Sequence, residues 1–216
     1  MKKILAVIFI LVVATGVSIA QEIDVGAKVG GVLCIPIGEA SDYNLPYGIN
    51  LEKVSGNDPG FDISFGIFGR YYLNDNFHLT AEILYSGHTL DYVHSIRSYS
   101  GTSGAGHYHL TYELTKIEIP ALIGMQIFES FSVYAGPCFA LIMSDAEDIA
   151  GSELCINAGA QYTIFQNFIF DFRGSYGLTN LYTGEGIGYL DLMPEYNSLA
   201  FTWTVGYAFD LSKLIN

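Results

Sequence analysis

No stretch after Gln21 runs to eighteen consecutive apolar residues, so beyond its first twenty residues this chain has no transmembrane helix to offer. Charge is also scarce: 14% of residues are charged against 50% hydrophobic, which is oily for a chain surrounded by water on all sides. Basic residues are the scarcest, with nine Lys and Arg against 22 Asp and Glu. Two of the nine, Lys2 and Lys3, lie in the first twenty residues, so the remainder carries seven basic groups against 22 acids, a formal charge of −15. Nucleic acid is therefore a poor partner. Only 3 Cys are present, with no metal-ligand spacing to His, so neither a metal nor another cofactor is expected.

What is plentiful is glycine and aromatic residues: 24 Gly, 16 Tyr and 14 Phe against 6 Pro. Aromatics favour the pleated surface, and glycine marks bends or close approaches within sheets, so an all-β fold follows. The first twenty residues read separately. Lys2 and Lys3 precede an apolar run from Ile4 to Val13, and the segment closes on Ser18-Ile19-Ala20, the pattern of a secretory signal peptide cut after Ala20. Residues 1–20 are thus expected to be a leader and 21–216 one domain.

Three similar motifs punctuate that domain: Leu73-Asn74-Asp75-Asn76-Phe77, Phe128-Glu129-Ser130-Phe131 and Phe165-Gln166-Asn167-Phe168. Each is a short polar turn between large apolar side chains, a hairpin signal. Between them, segments rich in Gly, Ser, Asp, Asn and Tyr at about 36–59, 88–108, 143–152 and 179–197 read as loops. Connections that alternate long and short require eight strands, near 22–35, 60–73, 77–88, 108–128, 131–142, 153–165, 168–178 and 197–211. With an even count, the termini and short turns fall at one end and the four long loops at the other, the asymmetry of bacterial outer-membrane barrels.

The strands alternate with period two. In the last, Leu199, Phe201, Trp203, Val205, Tyr207 and Phe209 oppose Ala200, Thr202, Thr204, Gly206 and Ala208. The polar faces are mostly Gly, Ala, Ser and Thr with isolated charges, which suits the crowded interior of a small barrel better than a water-exposed surface. The expected fold is therefore an eight-stranded antiparallel up-and-down transmembrane β-barrel, aromatic outside, in the outer membrane of a Gram-negative bacterium. Tyr85, Tyr108, Tyr112 and Tyr176 would form an outer aromatic girdle. A soluble periplasmic, lipocalin-like carrier, with the apolar face inward, is the alternative of the same topology. Parity switches within one strand, from Leu110, Tyr112 and Leu114 to Ile117, Ile119, Ala121, Ile123 and Met125, which predicts a β-bulge near Thr115-Lys116.

Lys28, Arg70, Glu82, Glu118, Asp171 and Arg173 share inward parity and should pair as a structural polar network that plugs the lumen. Ser86 and His88 near the outer rim suggest the hydroxyl–imidazole chemistry of an outer-membrane lipid hydrolase, but no acidic partner can be named from spacing, and His78, His94, His107 and His109 are scattered. Catalysis is not expected. Cys138 and Cys155 sit symmetrically about one loop on consecutive strands, which allows a cross-strand disulfide without requiring one and leaves Cys34 free. Acids at Glu39, Asp42 and Asp58, at Asp145, Glu147 and Asp148, and at Glu185, Asp191 and Glu195 read as solvated loop surface.

The segments Gly60-Phe61, Phe65-Gly66-Ile67-Phe68-Gly69-Arg70-Tyr71, Leu79-Thr80-Ala81-Glu82-Ile83-Leu84-Tyr85-Ser86, Ile117-Glu118-Ile119-Pro120-Ala121-Leu122 and Val133-Tyr134-Ala135-Gly136-Pro137 resemble, in order and spacing, the PorT-type outer-membrane β-barrel family. The similarity spans essentially the whole mature chain and implies fold and location without implying an activity. The final strand also resembles the signal by which barrels are recognised for insertion, with Thr204, Gly206, Phe209 and Leu211 at its polar, glycine and terminal hydrophobic positions, although Ser212–Asn216 continue beyond it. The expected partners are outer-membrane lipid, the barrel-insertion machinery and a surface partner bound by the loops, for a chain that acts as a monomer.

Overall fold

The period-two alternation of the sequence becomes a closed wall of strands. The computed structural model describes residues 22–37, 43–45, 49–98, 105–144, 149–165, 167–181 and 197–211, with the side chains at 36, 43–58 and 90–112 outside that description. The expected leader at 1–20 and the tail 212–216 also lie outside the described residues. The strands are β1 (Ile23–Ile37), β2 (Tyr43–Leu45), β3 (Ile49–Tyr72), β4 (Phe77–Ser98), β5 (Ala105–Phe128), β6 (Phe131–Met143), β7 (Ser152–Ile164), β8 (Phe168–Gly177) and β9 (Asn197–Asp210). All pairings are antiparallel between neighbours, and β1 pairs with both β9 and β3, so eight strands close into an up-and-down barrel. Closure satisfies the backbone of every wall strand from both sides, the condition for a β structure in hydrocarbon. The ninth element, β2, is a three-residue addition to the outer end of β3.

The short turns hold by local chemistry. Asn74 Oδ1 accepts the backbone N–H groups of Asn76 and Phe77, each at 2.9 Å, which turns the chain between β3 and β4. Gln126 donates from Nε2 to the carbonyls of Phe128 and Glu129 and braces the β5–β6 turn. At the β7–β8 turn Phe165 takes a left-handed φ of 51°, and Asn167 Nδ2 donates to the Ala208 carbonyl at 2.7 Å.

The wall sorts its side chains as the parity reading expects. In β8, Phe168, Phe170 and Phe172 are exposed while Ile169, Asp171 and Arg173 are buried, and β9 alternates in the same way around Trp203, Val205, Tyr207 and Phe209. Ile63, Phe65, Ile67, Ile83, Tyr85, Ile119, Ile123, Phe139 and Ile156 continue an apolar belt around the exterior. Seated in hydrocarbon, such side chains are worth about 1.5–3 kcal/mol each relative to water. A greasy outside around a charged inside is the reverse of a lipocalin-like carrier, and that alternative is excluded. Tyr85 and Tyr176 face outward as expected of a girdle, whereas the Tyr108 and Tyr112 side chains lie outside the described residues.

Two expectations are corrected. The segments 36–59 and 88–108 are largely strand: β3 starts at Ile49, β4 runs to Ser98 and β5 starts at Ala105. Their Ser, Asp and His content reads as loop, yet Thr89, Tyr92, Val93 and Ile96 are good strand formers, and a polar hairpin is at home above a membrane. Irregularity concentrates in β3 instead, with register shifts against β4 between Leu51 and Lys53, Ser55 and Asp58, and Pro59 and Ser64, where Gly56, Asn57 and Pro59 interrupt the ladder. The bulge expected near Thr115-Lys116 is absent, because β5 pairs in one register through that point with both β4 and β6. The parity switch has another cause. Leu114 points inward and is 3% exposed, opposite His88, so it caps the top of the lumen and does not join the belt.

Candidate functional site

The lumen is filled by polar side chains in three tiers, and glycines make the room. A Cβ at Gly124 would strike the His78 imidazole, one at Gly159 the Tyr134 ring, and one at Gly177 the Glu153 carboxylate. Each of these three inward groups thus lies over a position on a neighbouring strand that carries no side chain.

The tier nearest the short turns centres on Arg70. Its NH2 donates to Gln161 Oε1 across the barrel at 2.5 Å, and its NH1 donates to the Tyr72 hydroxyl, which donates in turn to Asp24. The guanidinium also lies over the Phe68 ring, 5.7 Å from its centroid. Phe68, Ile169 and Ala208 form a small apolar plug beside it.

The middle tier joins four strands. Lys28 Nζ from β1 sits 2.8 Å from Glu82 Oε1 of β4, and Arg173 of β8 meets the same carboxylate with NH1 2.8 Å from Oε2 and NH2 3.0 Å from Oε1. Arg173 stacks on Tyr134 of β6 at 5.2 Å, and the Tyr134 hydroxyl donates to Asp171 at 2.7 Å. Asp171 lies 3.8 Å from Arg173 NH2. Two buried cations thus face two buried anions, with hydrogen bonds from Lys28 Nζ and Arg173 NH2 to Glu82 Oε1 and from Tyr134 to Asp171, and such pairing offsets the cost of buried charge.

The outer tier holds a second pair that parity reasoning missed, Lys116 Nζ to Glu153 Oε2 at 2.6 Å, with Ser198 donating to the other oxygen of Glu153 at 2.6 Å. Lys116 escaped because the expected bulge obscured its facing. Glu153 could have been found from its alternation with Cys155 and Asn157, all buried on β7.

Of the six residues expected to form one network, Lys28, Glu82, Asp171 and Arg173 come together, Arg70 sits in the tier below them, and Glu118 sits at the outer rim with Ser86 and His88. There, Ser86 Oγ donates to Glu118 Oε1 at 2.5 Å and lies 3.0 Å from His88 Nε2, while Nε2 is itself 3.3 Å from Glu118 Oε1. A nucleophilic relay needs serine and acid on opposite imidazole nitrogens. Here both crowd Nε2, and Nδ1 has no hydrogen-bond partner among the described residues. Ser86 and His88 are also buried, facing the lumen. The geometry ties two strands together and lacks the serine–imidazole–acid order of that relay.

His78 is buried beside Tyr72 in the lowest tier, and His94, His107 and His109 lie on the outer extensions of β4 and β5. Among the described residues no three His, Cys, Asp or Glu side chains are grouped to hold a metal. Cys34, Cys138 and Cys155 are all buried thiols. Toward the long-connection end of β3–β6, a pocket of about 820 Å³ is lined by Asp62, Thr89, Glu113, Leu114, Ile142 and Ser144.

An apolar belt around a plugged, charged lumen defines a membrane-spanning barrel of the outer-membrane class. The chain belongs to the outer membrane protein beta-barrel domain family, whose model matches residues 19–183. Among solved structures, it is similar to Ail, the attachment invasion locus protein of Yersinia pestis, in complex with the heparin analogue sucrose octasulfate (16% identity, 87% of this chain and 99% of that one, TM-score 0.44). It is also similar to Neisserial surface protein A (14% identity, 87% and 97%, TM-score 0.45) and to the outer membrane protease OmpT from Escherichia coli (10% identity, 90% and 99%, TM-score 0.43). No curated protein matches the sequence.

Proposed function

We propose that this outer-membrane barrel is a non-catalytic member of the PorT-type group that contacts a partner at the cell surface through its outer connections. The carrying observation is a mismatch of lengths. Crossing hydrocarbon takes about 9–11 tilted residues, and β8 has 10, but β3, β4 and β5 have 24, 22 and 24. A barrel that only filled the membrane needs no such extension. With β2 these strands build a sheet that stands outside the belt, while ion pairs across the lumen favour contact over conduction. In this reading the leader is removed after Ala20, the last strand with Thr204, Gly206, Phe209 and Leu211 is read by the barrel-insertion machinery, and the chain works as a monomer in lipid.

The test compares the intact protein with a variant whose β4–β5 hairpin is cut back to residue 88 on one side and 114 on the other. The expected result is that both fractionate with the outer membrane and shift mobility on heating in SDS, both are silent in planar bilayers, and only the intact protein crosslinks to a surface partner through a photoreactive group in the hairpin or in the loop Thr183–Tyr189. Steady open-channel conductance by the intact protein, or no partner crosslinked from either site of the intact protein, overturns the proposal.

A further inference from the structure

Cys138 of β6 and Cys155 of β7 are direct cross-strand partners. Both point into the lumen and are 1% and 4% exposed. Residues opposed in this way have Cα atoms about 4.5–5.5 Å apart, within the range of about 4.4–6.8 Å that a disulfide spans. Cys34 has no such neighbour, because its register partners are Gly60 on β3 and Ala200 on β9. Three cysteines on one inward face thus divide into a matched pair and a single thiol.

We propose that Cys138 and Cys155 are joined as a disulfide in the exported protein while Cys34 stays reduced. The inference rests on the reading that the chain is exported, since an oxidising compartment is where such a bond forms and persists. The oxidant is a periplasmic protein disulfide. The thiolate of one cysteine attacks it, forming a mixed disulfide and expelling one oxidant thiolate. The thiolate of the other cysteine then attacks the mixed disulfide, forming the Cys138–Cys155 bond and releasing the oxidant as a dithiol that has gained two electrons and two protons. Both thiols face the lumen, so the exchange takes place on the β6–β7 hairpin before the barrel closes. The bond fastens that hairpin three residue pairs below its last pair, Leu141–Ser152, and, two residues from Glu153, holds its carboxylate beside Lys116.

The experiment counts thiols. Protein from isolated outer membranes is acid-trapped, denatured and treated with a polyethylene-glycol maleimide, with and without prior reduction. The proposal expects a single adduct before reduction and three after it, since the chain holds 3 Cys, and a Cys34→Ala variant with no adduct before reduction. Mass spectrometry of a non-reduced digest is expected to find the Cys138 and Cys155 peptides linked. Three adducts without reduction, or a linkage that includes Cys34, overturns it. The same cells are scored for fractionation and the heat-dependent mobility shift, so a reduced protein that is properly inserted refutes the disulfide alone, and a protein retained in the cytoplasm refutes the export on which the bond depends.

Discussion

Arg173 and Glu82, 91 residues apart in the chain, meet across the lumen in a two-point ion pair, with NH1 2.8 Å from Oε2 and NH2 3.0 Å from Oε1. The NH2 contact is a hydrogen bond to Oε1 and the NH1 contact a close charge pair with Oε2, and Lys28 adds a second hydrogen bond to Oε1. One carboxylate therefore anchors both buried cations of the middle tier.

Removing that carboxylate is predicted to be the worst single change in the tier. Glu82→Ala leaves Lys28 and Arg173 buried with only Asp171, 3.8 Å from Arg173, to offset them, and should destabilise the barrel by about 3–5 kcal/mol. Lys28→Met keeps the two-point pair and should lose distinctly less. Urea unfolding of barrels refolded into vesicles, followed by the emission of the single tryptophan, Trp203, measures both. Equal midpoints for the two variants would contradict this ranking.

The facing of most strands and the place of all three tight turns were legible in the sequence, because a period of two and a polar turn between aromatics are local signals. Extent was not. Residues 89–98 look like loop in a reading that expects strands to end with the membrane, and the backbone pairing of a hairpin in water leaves no mark on hydropathy. The inward charges Lys28, Glu82, Asp171 and Arg173 could be named singly, but which cation met which anion depends on side chains that reach across the barrel. Leu114 misled because an apolar side chain at the top of the lumen has the same appearance in sequence as one in the belt.

A charge placed on the belt should be punished by depth. Val205, 43% exposed on the lipid-facing side of β9 and in mid-strand, is predicted to lose about 2–4 kcal/mol as Val205→Arg, and Phe209→Arg, at the short-turn end of the same strand, about 0–1 kcal/mol. Reversible unfolding in lipid reads the difference, and identical losses would mean that the belt is not where the exposed aromatics put it.

Ser86→Ala is predicted to leave lipid A unaltered. The Ser86 hydroxyl donates to Glu118 and shares His88 Nε2 with it, so what the substitution removes is one hydrogen bond to a charged group, about 1.5–3 kcal/mol of stability. Mass spectrometry of lipid A from cells expressing each form checks the first expectation and urea unfolding the second. Loss of a deacylated species in the variant would establish the rim as an active site.

Gly31 has lipid-facing parity yet is buried, because the rings of Phe61 and Trp203 close over it with centroids 5.5 Å apart and a 35° tilt. A Cβ there would stand 2.9 Å from Phe61 Cζ and 3.0 Å from Trp203 Cζ2, so any larger residue would push the two rings outward. Phe61 and Trp203 come from β3 and β9, the two strands that flank β1, and their contact spans the seam where the first strand closes the barrel. Hydrocarbon solvates an isolated ring nearly as well as a neighbouring ring does, so the contact contributes mainly packing geometry, about 0.5–1.5 kcal/mol. Phe61→Ala should therefore lose about that much, and Gly31→Val should lose no less, since its branched side chain forces both rings apart. In a double-mutant cycle the loss from Phe61→Ala should shrink when Gly31→Val is already present, because the contact is already broken. Full additivity, read from the urea midpoint of the heat-dependent gel shift, would mean that the two rings do not act through Gly31.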